Sequence, residues 1–273
     1  MKNLTISFIG AGNMASNIIK GLLKKKFPPK NIWATNNTIA QLNRLKTLNI
    51  NLTTDNNTAV QMSTIVVLAV KPQILKSVVV EIAKRIQEKK PLVISIAVGI
   101  SLNNLENYLA NQNLALIRCM PNIPALIGCA ATALFANPHC TLSQKKIAEF
   151  IFNTIGTVVW LTQEEYVDAV AALSGSGPAY FFSFMEALEN AANELGLPKE
   201  IAHKLTLQTA LGSAQMAIES KKSLAELRQQ VTSPGGTTEK ALNYLNASHL
   251  DDILKRTLVE AQVRAKELSQ NYQ

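Results

Sequence analysis

The sequence is poor in the residues that most protein chemistry relies on. Its three cysteines, Cys119, Cys129 and Cys140, are an odd number without a Cys-x-x-Cys spacing. That argues against a disulfide framework and offers no zinc pattern. The three histidines, His139, His203 and His249, lie far apart and form no ligand pair, so no metal is expected. Aromatic residues make up only 5% of the chain. None of them interleaves with basic residues as in a nucleic-acid surface, and no nucleic-acid partner is expected. Apolar runs such as "TIVVLAV" at 64–70 are strand-sized, far short of the roughly 20 residues that span a bilayer. Gly10 and Gly12 interrupt the first apolar run, and no charged leader with a cleavage site opens the chain. The expectation is a cytoplasmic protein with no membrane partner.

What remains is ample for folding. A chain of 273 residues, 47% hydrophobic and 17% charged, suits two domains that each bury a core. Charge divides along the chain: residues 1–163 hold 17 Lys and Arg against 5 Asp and Glu, and residues 164–273 hold 10 against 14. A basic first half and a mildly acidic second half fit two domains with different jobs.

The first half alternates between two textures. β-rich runs occur at 4–9, 31–35, 64–70, 92–98 and 114–120, with later ones at 131–135 and 157–161. Helical patterns separate them, one placing Met14, Ile18, Ile19, Leu22 and Leu23 on a single face and another covering 74–86. Near-continuous apolar strands alternating with helices predict a parallel sheet covered on both faces, a doubly wound α/β domain of the Rossmann type. Beyond residue 163, strand-like runs nearly vanish and helical spacing prevails over 179–196, 200–220 and 249–270. Domains 1–163, α/β, and 164–273, all-α, are expected. Broad apolar helix faces in the second predict a core completed in a dimer.

Directly after the first strand, "FIGAGNMA" at 8–15 sets out Gly10-x-Gly12-x-x-Ala15. The first glycine permits a tight turn, the second lets backbone approach a pyrophosphate, and the small third residue packs helix on strand. The opening helix then offers N–H groups and a partial positive charge to phosphate. NAD-preferring sites place Asp or Glu at the end of the second strand, yet this place reads "ATNNT" at 34–38, and no acidic residue precedes Asp55. A 2′-phosphate would meet no repulsion there, with Thr35, Asn36 and Asn37 as hydrogen-bonding groups. NADPH is therefore the expected cofactor, with NADH the alternative. "LAVKPQ" at 68–73 places Lys71 and Pro72 past a strand end, "SIAVGI" at 95–100 ends another, and "IRCMPNIPALIG" at 117–128 follows the next. Stiff loops at successive strand ends read as the floor of a ligand crevice.

Two small-residue segments interrupt the helical half. "LSGSGPAYFF" at 173–182 reads as a hinge into a helix or as close helix packing. "VTSPGGTTEKAL" at 231–242 combines backbone freedom at Gly235 and Gly236 with Thr237 and Thr238 at a helix start. Such a start is an anion site for a small carboxylate or, more plainly, a capped helix. A hydroxyl-to-carbonyl dehydrogenase needs a base near its substrate, but no Lys lies between "SGSGPAY" and Lys199. Reduction of a C=N bond has less need of one, because a protonated imine is already electrophilic and the cofactor supplies the hydride.

Taken together, "GAGNMA", "AVKP", "RCMPNIPA", "SGSGPAY" and "VTSPGGTT" resemble pyrroline-5-carboxylate reductases, in the family's order and spacing from about residue 4 to 268. The resemblance implies NAD(P)H-dependent reduction of 1-pyrroline-5-carboxylate to L-proline, the last step of proline biosynthesis. It implies a homodimer through the helical domain, with dimers often assembled into a decamer. Carried over by motif, Gly10, Ala11, Gly12, Asn13 and Met14 bind the pyrophosphate, and Asn36 and Asn56 the adenosine end. Ala69, Val70, Lys71 and Pro72, with Ala97 and Val98, line the nicotinamide half. The substrate carboxylate lies on N–H groups of Gly236 and Thr237 helped by Ser233, Gly235 shapes the turn, and Met120 to Asn122 lie nearby. Thr238 is the catalytic candidate, its hydroxyl reaching the ring nitrogen. Departures from the family are the Asn pair at 36–37, Val98 for a common Ala and Leu224 for a common Pro.

Two rivals stand beside this reading. Reductases of the β-hydroxyacid dehydrogenase kind place a catalytic Lys on a second-domain helix, which is not found here. A non-catalytic NADP-binding sensor would have a ruined substrate turn, and "SPGGTT" is intact.

Overall fold

The computed structural model describes residues 4–270. An eight-stranded sheet dominates, with strands β1 Ile6–Ile9, β2 Ile32–Thr35, β3 Asn51–Thr53, β4 Ile65–Leu68, β5 Leu92–Ser95, β6 Leu116–Met120, β7 Ala130–Ala136 and β8 Gly156–Trp160. Their order across the sheet is β3-β2-β1-β4-β5-β6-β7-β8. All neighbours run parallel except β6 and β7, which are antiparallel, Cys119 facing Leu134.

Burial on both faces accounts for the apolar runs. Along β4, Ile65 and Val67 enter one core while Val66 and Leu68 enter the other. The first core is closed by helices α1 Asn13–Lys24 and α6 Leu142–Phe152, and the second by α3 Asn56–Gln61, α4 Pro72–Lys89 and α5 Leu102–Leu109. Between β2 and β3 lies the short helix α2 Ile39–Leu42, followed by a 3-10 segment, Asn43–Leu48. The predicted face of α1 packs as expected: Ile18, Ile19 and Leu22 are fully buried, and Met14 and Leu23 lean on the same core.

Three features of the sheet differ from the sequence reading. The apolar runs predict a parallel sheet, yet β7 returns antiparallel to β6. Strand β3 has only one apolar residue, Leu52, and is half-exposed at the sheet edge, so it lacks any hydrophobic period. The runs at 64–70 and 92–98 pair only over 65–68 and 92–95, leaving Ala69, Val70, Ile96, Ala97 and Val98 beyond the strand ends.

The remaining elements are helical: α7 Tyr166–Val170, a π-helical turn Ala171–Gly175, then α8 Gly177–Glu194, α9 Lys199–Glu219, α10 Leu224–Gln230, α11 Thr237–Ala247 and α12 Leu250–Gln270. By compactness the chain forms two units, one holding the sheet up to Ser176 and resuming at Ala261, the other Gly177–Glu260. The sequence texture changes at 163, earlier than this division, because α7 and the π-turn pack on the sheet unit through Met120, Val167 and Ala171. Gly175 belongs to that packing: a Cβ there would meet Met120 Cε at 2.7 Å. In the second unit, Gly196 takes φ +93° to end α8, and Pro198 caps α9. Of the 21 residues of α9, only Ala202 is buried within the single chain, and Phe181, Phe182, Leu211 and Ile218 are exposed.

Asn137 stitches β6 to the loop that follows β7. Its Oδ1 accepts from Leu116 N–H at 3.1 Å and its Nδ2 donates to the Leu114 carbonyl at 2.8 Å, all buried. Asn137→Ala leaves both backbone groups unpaired, at about 1–3 kcal/mol each. Urea unfolding of the variant is expected to show a loss of about 2 kcal/mol or more; an unchanged midpoint would contradict the stitch.

Candidate functional site

The strand order places β1 between β2 and β4, with the chain turning opposite ways on its two sides. A crevice opens at such a reversal, beyond the carboxyl ends of the strands. A cavity of about 540 Å³ lies there. Ten of the sequence candidates line it: Gly10, Gly12, Asn13, Thr35, Asn36, Asn37, Asn56, Ala69, Val70 and Lys71. Ala11, Met14, Pro72, Ala97 and Val98 do not. Ala11 is fully buried and donates its N–H to the Thr35 carbonyl at 2.7 Å, while Pro72 is the first residue of α4.

The two glycines of the turn do different work. Gly10 has φ +89°, and a Cβ on it would lie 2.5 Å from Val70 Cγ1 and 2.8 Å from Val70 N. It is required by the protein's own packing. Gly12 has an ordinary φ of −74°, and a Cβ there would find only the Gly10 carbonyl, at 4.0 Å. As the N-cap of α1 it makes no side-chain cap, which forgoes roughly a few tenths of a kcal/mol. The burial of Ile18, Ile19 and Leu22, at about 2 kcal/mol each, outweighs that loss. A bare, uncapped helix start with no acidic residue in its first turn is a cradle for an anion that approaches the backbone closely.

Thr35 is at the core of this site rather than on its surface. It is fully buried, its hydroxyl donates to Asn56 Oδ1 at 2.7 Å, and it accepts from Gly10 N–H at 3.3 Å. The Asn56 amide also donates to Glu81 Oε1 at 3.4 Å. Thr35 thus ties the glycine turn to α3 with a hydroxyl already engaged. Asp55 caps α3 and accepts from the Thr58 hydroxyl, which holds its carboxyl below the usual range. No carboxylate lines the cavity; its two charges are Arg44 and Lys71. A dinucleotide of strongly negative phosphates fits this donor set. Arg44, with Ala40 and Gln41, escaped the sequence reading. Nothing periodic marks it, and the only signal is a basic residue nine positions beyond Thr35.

In the second unit, Gly235 takes φ +71°, and Gly236 is the N-cap of α11. A Cβ on Gly236 would lie 2.5 Å from Ser233 Oγ. Because the cap is a glycine, neither Thr237 nor Thr238 serves as the cap, and the plain reading of those hydroxyls falls away. Thr237 is exposed and Thr238 half-buried. The Gly235 N–H is engaged, donating to Glu239 Oε2 at 2.8 Å. Met120 and Asn122 lie in the sheet unit, each 8% exposed. Asn122 donates to the Ser174 carbonyl at 2.8 Å and accepts from Ala131 N–H at 2.9 Å, joining β7 to the π-turn.

Cys119 and Cys140 are not reactive groups of this site. Burial pushes the Cys119 thiol well up and Cys140 to about 11, so both remain thiols at neutral pH. Among the described residues, no three His, Cys, Asp or Glu come together as a metal site, and no helix is long and apolar enough to cross a membrane.

The glycine contrast yields a paired test. Gly10→Ala is expected to destabilise the fold, whereas Gly12→Ala keeps the melting temperature and weakens nicotinamide dinucleotide binding by roughly tenfold or more. Unaltered affinity in Gly12→Ala, measured by calorimetry, would remove the helix start from the site.

Comparison with known proteins places these features in context. A family model described as pyrroline-5-carboxylate reductase dimerisation matches residues 164–268, which supports homodimerisation through the helical region. A second, described as NADP oxidoreductase coenzyme F420-dependent, matches residues 5–99. A pyrroline-5-carboxylate reductase of Pseudomonas aeruginosa is 41% identical over 99% of this chain and 98% of its own. A solved structure of such a reductase from Coxiella burnetii is 44% identical, with a TM-score of 0.94 over 97% of this chain and 98% of that one. The Plasmodium falciparum enzyme, solved with NADP bound, is 28% identical with a TM-score of 0.85, covering 98% and 99% of the two chains. The chain belongs to the pyrroline-5-carboxylate reductase family.

Proposed function

We propose that this chain reduces 1-pyrroline-5-carboxylate to L-proline with NAD(P)H, taking NADPH in preference to NADH. Family membership carries the reaction. The observation that carries the site is the start of α11, a helix N-terminus whose cap is a glycine and whose two threonine hydroxyls are spare. N–H groups of Gly236 and Thr237, with the Ser233 hydroxyl, hold the substrate carboxylate against the positive end of the helix. The Thr238 hydroxyl bonds the ring nitrogen, orienting the C=N carbon and steadying the amine that forms. Glu239 keeps the turn in shape by accepting from Gly235 N–H. Asn122 positions the loop after β6 rather than touching substrate, as both ends of its amide are engaged.

Gly10, Gly12, Asn13, Asn36, Asn37 and Asn56 hold the adenosine and pyrophosphate half of the cofactor. Ala69, Val70 and Lys71 flank its nicotinamide half, with Ala97 and Val98 beyond β5. When bound, the reduced nicotinamide supplies the hydride. A preference for NADPH is supported by the uncharged Asn36–Asn37 pair after β2 and by a cavity free of carboxylates. The helical regions of two chains pair, covering the apolar faces of α8 and α9. Five such dimers form a decamer, an assembly size that sedimentation decides. Three free cysteines, Cys129 among them exposed, suit a reducing cytoplasm.

Wild type is expected to oxidise NADPH on addition of 1-pyrroline-5-carboxylate and to yield proline. Thr238→Val should lose about tenfold or more in kcat while binding cofactor as before. A folded, cofactor-binding wild type without turnover would refute the reaction. Full activity in Thr238→Val would leave the turn as a carboxylate cradle and take the ring-nitrogen role from Thr238.

A further inference from the structure

The cofactor preference proposed above rests on the lack of repulsion after β2, which explains tolerance of a 2′-phosphate but not attraction to it. Asn36 and Asn37 are neutral, and the Thr35 hydroxyl is buried and engaged. A dianionic group released from water needs a cation to offset its desolvation. The cavity offers two. Lys71 caps α4 beyond the end of β4, on the side of β1 away from β2. Arg44 lies on the β2 side, in the segment Asn43–Leu48, and lines the cavity together with Asn36, Asn37 and Gln41.

Arg44 is held in place from both ends. Leu42 and Leu45 on either side of it are buried in the same core as Ile32 and Ala34, so the backbone that carries Arg44 is pinned to the sheet. Its guanidinium crosses to the glycine turn, where Nη1 donates to Asn13 Oδ1 at 3.1 Å and Nη2 to the Ala11 carbonyl. These bonds fix the fork between the turn and the end of β2. A guanidinium carries five N–H donors, so two bonds to the turn leave others for an anion. The ribose 2′ position of a dinucleotide is read at the end of the second strand, by an acid for NAD or a nearby Arg for NADP.

Resting on that cofactor reading, we propose that Arg44 is the specificity-determining residue for the 2′-phosphate, reaching the end of β2 from a segment nine residues further along the chain. Neither Asn36 nor Asn37 supplies the charge; they border the phosphate as neutral hydrogen-bonding groups. The planar fork, already oriented by Ala11 and Asn13, binds the phosphate with little further ordering.

The test uses binding of NADP⁺, NAD⁺, 2′,5′-ADP and 5′-AMP by calorimetry, without turnover. Arg44→Ala and Arg44→Gln are both needed, since glutamine keeps an N–H donor for the turn and lacks the charge. Both variants are expected to lose about ten- to hundredfold in affinity for NADP⁺ and 2′,5′-ADP. NAD⁺ and 5′-AMP should bind as to wild type, and Lys71→Ala should leave the NADP⁺ to NAD⁺ ratio unchanged. Equal losses for NAD⁺ and NADP⁺ in Arg44→Gln would make Arg44 a brace for the glycine turn and overturn the proposal. Unchanged NADP⁺ affinity would overturn it as well. A folded wild type that binds neither dinucleotide would refute the cofactor site itself, and Arg44 with it.

Discussion

The crevice at the glycine turn depends on the parallel hydrogen bonding of β1 to both β2 and β4. Ile6 to Ile9 pair with Ile32 to Thr35 on one side and with Ile65 to Leu68 on the other. Three strands therefore end at one level, and the chain leaves β1 through the glycine turn with neighbours close on each side. Gly10 fits against Val70 only because it has no side chain. Thr35, one residue past the last core position of β2, reaches back to accept from Gly10 N–H. The turn is held by both flanking strands, so the start of α1 is aimed before any ligand arrives. Such pre-ordering spares a binding site part of its entropic cost.

The helical half follows a different logic. Its helices pack too few apolar residues within one chain to form a core, with α9 burying a single alanine. Long helices that expose apolar residues such as Leu205, Leu211 and Ile218 are stable only when covered, and the match to a dimerisation domain points to a second copy of the chain. The substrate role proposed for the turn at 233–236 calls for rigidity there, because backbone N–H groups and a hydroxyl act through their fixed direction. Within that turn, some polar groups are engaged by the protein and others are not. Gly235 N–H is given to Glu239, while the start of α11 has no side-chain cap.

How much was legible depended on how strongly each feature was tied to burial. Seven of the eight strands stood out as apolar runs, β1, β4, β5 and β6 because both their faces are buried, and the edge strand β8 through its Val-Val-Trp despite partial exposure. Strand β3 did not, since an edge strand of Asn, Leu and Thr has no apolar period to detect. The ends of 64–70 and 92–98 looked like strand because the apolar run continues past the last ladder bond, through Ala69 and Val70 at the crevice and through Ile96, Ala97 and an exposed Val98 beyond β5. The Gly-x-Gly turn was legible through its chemistry, but the split between a glycine required by packing and one left bare needed neighbours from β4. The roles of Thr35 and Asn122 were read as ligand contacts, and both side chains turned out to be engaged by protein atoms.

The sequence by itself determined the class of fold, the place of the Gly-x-Gly turn and the family, because these lie in short-range patterns: alternation, glycine spacing and contiguous motifs. Only the tertiary structure decided which residues share a surface. Arg44 and Ala11 are 33 positions apart yet hydrogen-bonded, and no local pattern encodes that meeting. It arises because parallel strands separated by crossovers bring distant chain segments to the same edge of the sheet, where side-chain reach rather than sequence distance sets the contacts.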